Sequence, residues 1–74
     1  MRNKIMKVIC EYINIDVWKV KPEFRLEEDL DLDELDRTEL AMKLEDEFGI
    51  EILDEEAEPN RTVEELVQLV QKKI

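Results

Sequence analysis

The chain has 74 residues, 21 acidic side chains against 11 basic ones and a formal net charge of −10, so it reads as one small acidic domain with barely enough length for a core. That charge excludes nucleic acid and an anionic membrane surface as partners and favours a basic protein surface. The sequence has no histidine, a single cysteine and no apolar run of the roughly eighteen residues a membrane span needs, which excludes histidine-based catalysis, an internal disulfide and membrane insertion. With no signal-peptide apolar core at the N-terminus, a cytoplasmic monomer is expected.

Taken in order, the spacing predicts a first helix over Arg2–Ile13, with Ile5, Val8, Ile9 and Tyr12 inward and Lys4, Lys7 and Glu11 outward. Cys10 lies in this apolar run and reads as a small buried hydrophobe. Asn14 is suited to a left-handed stop, with Ile13 and Ile15 on either side of it. Residues 16 to 33 form a connection that is long for so small a domain and needs anchors. Val20, Phe24, Leu26 and Leu30 supply them, while Pro22 keeps the segment out of helix. Trp18 fits no position in this pattern and is expected partly exposed over the end of the first helix.

Asp33 can accept from the free N–H groups of a second helix that starts at Asp33 or Glu34 and runs to Phe48, with Glu34 and Asp36 placed where the helix dipole is positive. Leu40, Ala41, Leu44 and Phe48 form its core face. Leu35, Thr38 and Met42, together with Glu39, Glu45 and Asp46, fall largely on other faces and leave surface for a partner. Gly49 supplies the stop, and Ile50 and Ile52 return the chain to the core. Residues 54 to 58 make at most a short helical turn, ended by Pro59. Thr62-Val63-Glu64-Glu65 is a capping box opening a last helix with Val63, Leu66, Val67, Val70 and Ile74 inward and Lys72 and Lys73 at its negative end. The expected fold is an all-α up-and-down bundle of three main helices and one short one.

Asp29, Asp31 and Asp33 look like the start of a calcium loop, but the Gly and Glu that such a loop requires further on are Glu34 and Leu40 here. No specific metal site follows, and a weakly held, hydrated divalent cation is the most these three acids are expected to bind. There is no nucleophile, Gly-rich phosphate loop or pocketed carboxylate pair, so an independent enzyme is not expected.

Glu28-Asp29-Leu30, then Asp33-x-Leu35-Asp36, then Glu39-Leu40-x-Met42-x-Leu44-Glu45-x-Glu47-Phe48-Gly49-Ile50-Glu51-Ile52 resembles the acyl carrier proteins. The likeness covers the chain from Ile5 to Val70. It implies a four-helix bundle whose second helix begins at an Asp-Ser-Leu triplet, the serine carrying a 4′-phosphopantetheine arm. Here the triplet is Asp33-Glu34-Leu35, and the chain has no serine at all. As written it is therefore expected to carry no phosphopantetheine, since a glutamate has no hydroxyl for the phosphodiester. Asp31-Leu32 stands where the family commonly has Gly-Ala, the charged Lys43 replaces an often small residue, and Arg37 adds a positive charge beside the docking face.

The resemblance also implies that Leu35, Asp36, Thr38, Glu39, Met42, Glu45 and Asp46, with Ile52 nearby, meet basic patches of acyl-carrier-dependent enzymes of fatty acid, lipid or polyketide-type synthesis. Glu34 would hold a fixed negative charge where a carrier holds its phosphodiester. Two alternatives stand beside this reading: a genuine carrier whose natural residue 34 is Ser, and an acidic metal-binding or regulatory bundle. Without an arm, the space beneath Leu40, Leu44, Ile52 and Leu66 is expected to be collapsed core.

Overall fold

A computed structural model describes residues 1–74. It contains four helices: α1 (Arg2–Ile13), α2 (Glu34–Phe48), α3 (Asp54–Ala57) and α4 (Val63–Lys73), with one 3₁₀ turn at Val17–Lys19. Local signals set the boundaries. Asn14 stops α1 at φ 59°, and Gly49 stops α2 at φ 63°. Asp33 caps α2 by accepting from the Asp36 N–H at 2.8 Å, and Asp36 reciprocates by accepting from the Asp33 N–H at 3.3 Å. Thr62 and Glu65 form the expected box at the start of α4.

Fifteen buried apolar residues make one continuous cluster, including Ile5, Val8 and Ile9 of α1, Leu40 and Leu44 of α2, and Val63, Leu66, Val67 and Val70 of α4. Leu40, Leu44, Ile52 and Leu66 are all within it, so the space beneath α2 is filled by side chains. Cys10 is buried there too, and burial pushes its thiol above the usual range. Tyr12, Phe24, Leu30, Ala41 and Phe48 are only partly buried at the edge of the cluster. Three assignments change. Met6 and Leu32 are buried without having been expected to be, and Ile74, expected inward, lies beyond the end of α4 with half its surface exposed.

The long connection is held by main-chain bonds as well as by its apolar anchors. The first N–H groups of α4, on Val63 and Glu64, donate to the carbonyls of Phe24 and Pro22, and the Leu26 N–H donates to Arg61. These bonds satisfy donors that a helix start leaves free, so the loop and α4 cap one another. Further on, the Arg25 N–H donates to Asp29 Oδ2 at 2.7 Å and the Leu32 N–H to the Leu26 carbonyl. That turn closes through Asp31 at φ 56°, a left-handed conformation that disfavours most side chains and that Asp tolerates better than most. The steric demand accounts for the small residue that the resemblance leads one to expect at this place.

Candidate docking surface

Buried side chains of α2 are confined to Leu40 and Leu44, with Ala41 and Phe48 half-covered beside them, so most of the helix circumference faces solvent. Leu35 is 67% exposed and Met42 58%, although each is large and apolar. Around them lie the exposed Glu34, Thr38, Glu39 and Asp46. Asp33, Glu34, Leu35 and Thr38 together line an open depression at the start of the helix. The Thr38 hydroxyl is already engaged, donating to the Glu34 carbonyl at 3.0 Å. Glu34 takes part in none of the ion pairs.

Not every residue expected on this surface serves it. Ile52, expected near this surface, is buried in the core to which Ile50 and Ile52 were expected to return the chain, and presents no side chain here. Glu45 is half-buried and accepts the Ile52 N–H at 2.7 Å, which ties the segment after α2 back onto the helix. In extended chain consecutive side chains point opposite ways, so with Ile52 inward it is Leu53, 44% exposed, that faces out. Asp36 is committed to the cap of α2, while Leu35, Thr38, Glu39, Met42 and Asp46 lie outward as expected.

Arg37 is also displaced from its expected role. Its guanidinium turns away from the acidic face: Nη2 donates to the carbonyls of Ala57 at 3.5 Å, Glu58 at 3.1 Å and Asn60 at 3.1 Å, and Nη1 lies 3.6 Å from Glu27. The side chain is only 19% exposed. The face around Leu35 and Met42 thus keeps its acids without this cation among them.

Nothing in the sequence marked Tyr12 as part of the site. From the end of α1 its hydroxyl donates to Glu39 Oε1 at 2.9 Å. Partial burial, then the bond to Glu39 and the charges of Asp36 and Asp33, push this hydroxyl up to about 12. The folded state therefore holds the phenol proton more tightly than the unfolded chain, whose tyrosine titrates near 10. The stabilisation is complete below pH ~10 and lost as pH rises through about 12. Absorbance titration of the tyrosinate is expected to give a midpoint near 12 for the native chain, and Tyr12→Phe to lessen the loss of stability across that window. An ordinary midpoint near 10 would show that the bond to Glu39 does not form.

Asp29, Asp31 and Asp33 do not come together. No group of three or more potential metal-ligating side chains converges anywhere in the chain, and Asp29 and Asp33 are engaged as acceptors from the Arg25 and Asp36 N–H groups. No helix is long and apolar enough to cross a membrane.

A helical chain with this cap, this acidic helix and this long capped loop has clear relatives. The family model described as the phosphopantetheine attachment site matches residues 3–70. The chain belongs to the acyl carrier protein family. It is 42% identical to an acyl carrier protein of Thermosynechococcus vestitus over 71 residues, covering 96% of this chain and 88% of that one. It is 46% identical to one of Helicobacter hepaticus over 67 residues, covering 90% and 88%. A third, from Solidesulfovibrio magneticus, is 37% identical over 70 residues, covering 95% and 90%. Acyl carrier proteins are carriers that interact with acyl-biosynthetic enzymes and are not themselves enzymes, and the four helices are those of their bundle.

Proposed function

We propose that this acyl carrier protein homologue works as a docking module, meeting basic surfaces of acyl-chain biosynthetic enzymes without carrying a phosphopantetheine arm. The observation that carries the reading is Glu34, an exposed carboxylate at the first position of α2, beside the exposed Leu35 and Met42. The residues present do not fit the arm. Serine is absent, and the chain's hydroxyls are those of Tyr12, Thr38 and Thr62. Each is already a hydrogen-bond donor, to Glu39, to the Glu34 carbonyl and to Glu65 respectively.

A fixed charge at position 34 imitates part of what a phosphodiester would present there, in the field of Glu39 and Asp46. Long-range attraction then steers the module to a basic partner, and Leu35 and Met42 supply apolar contact once it arrives. Binding to an acyl-carrier-dependent synthase of the same organism, followed by titration calorimetry, is expected to weaken with added salt and to fall several-fold in Glu34→Ala. Equal affinity of Glu34→Ala and the native chain would remove Glu34 from the interface and with it the imitation of the arm.

A further inference from the structure

Helix α3 presents an unusual balance of forces. It is four residues long and none of its residues is fully buried, so apolar burial contributes little to its position. A single helical turn is also too short to be stable alone. Polar ties hold it in place, and one side chain supplies three of them. Arg37, from the first turn of α2, reaches the carbonyls of Glu58 and Asn60 beyond the end of α3, and that of Ala57, which also accepts the Asn60 N–H. Cationic donors are favoured at such an end by the helix dipole. The same guanidinium is paired with Glu27 in the long connection. It thereby joins three parts of the chain that are distant in sequence.

The remaining ties each join a single pair of residues. Lys73 at the end of α4 pairs with Glu56 at 2.9 Å, and Glu45 holds the Ile52 N–H just before α3. The Asn60 amide donates to the Glu56 carbonyl at 3.3 Å, and Arg61 donates to the Glu58 carbonyl already shared with Arg37. Of these only the Lys73–Glu56 pair brings a second element of the bundle, α4, onto α3, and it leaves the carbonyls at the end of α3 to Arg37 and Arg61.

From this geometry we infer that Arg37 is a latch, and that residues 53–60 are a flap closed over the edge of the core by its guanidinium. The flap adjoins the buried Ile52 and packs its own Ala57 against the core cluster, so its release uncovers apolar surface without unfolding α1, α2 or α4. A planar fork is required for this task, because several carbonyls must be met at once by a side chain of fixed shape.

Amide hydrogen exchange of the whole chain tests the latch. In Arg37→Met, exchange across residues 54–60 is expected to rise about tenfold or more, while the buried centres of α1 and α4, at Ile9 and Val67, keep native protection. Binding of an apolar dye such as anilinonaphthalene sulfonate should rise in parallel. Arg37→Lys retains the charge beside Glu27 but not the fork, and the same local loosening is expected. Should Arg37→Met lose protection everywhere, Arg37→Lys decides. Faster exchange confined to residues 54–60 in the lysine variant supports the latch. Native protection of 54–60 there, or an equal loss at Ile9 and Val67, overturns it.

Discussion

Glu34→Ser, incubated with a phosphopantetheinyl transferase and coenzyme A, is expected to gain the mass of one arm, while the native chain under the same conditions gains nothing. The substitution should fold without difficulty. Residue 34 is the first of α2, exposed and without an ion pair, and the cap of the helix rests on Asp33 and Asp36. What is lost is one carboxylate near the positive end of a helix dipole, worth only about 0.3–1 kcal/mol. What is gained is a hydroxyl at the helix start, between Asp33 and Leu35. Intact-mass spectrometry reads the result directly. A mass gain by the native chain would place an arm elsewhere and defeat the reading of a module without cargo. Refusal of the serine variant would mean that the surface around Leu35 and Met42 is no longer one that a transferase accepts.

Leu44→Ala is expected to cost ~2–5 kcal/mol, read from the denaturant midpoint by circular dichroism. Leu44 has no exposed surface and belongs to the cluster that joins α2 to α1 and α4. Truncation removes transfer energy and leaves a cavity that tightly packed neighbours fill only in part. A domain of this length has a total stability of roughly 4–11 kcal/mol, so the loss is a large share of the whole. Met42→Ala, on the same helix but 58% exposed, should change the midpoint little, within about 0.5 kcal/mol. Similar costs at the two positions would mean that α2 is rotated from the orientation described.

Local chemistry made most of the fold legible in the sequence. Asn14, Gly49, Asp33 and the Thr62–Glu65 box each act on backbone groups within a few residues, and all four stand where they were expected. What escaped were the features that depend on distant parts of the chain. Arg37 is four residues past the cap Asp33 and looks like a surface charge, yet the carbonyls it reaches are twenty or more residues away in sequence. The bond between Tyr12 and Glu39 spans 27 residues, and no periodicity within α1 or α2 announces it. Ile52 is expected both in the core, by the return of the chain after Gly49, and near the docking surface, by the resemblance; its side chain is in the core. Its direction depends on Glu45 receiving its N–H, which leaves Leu53 to face outward instead.

The position of Trp18 governs how such experiments can be watched. It is the only tryptophan in the chain, 79% exposed on the Val17–Lys19 turn, with the Lys19 ammonium 5.0 Å from the centre of its ring. Its indole already sees nearly as much water in the native state as it would in the unfolded one. Intrinsic fluorescence should therefore move little through the unfolding transition, and a flat emission trace would be no sign of an undisturbed core. A partner that covered this turn would produce a shift in emission that is nearly free of any background from folding.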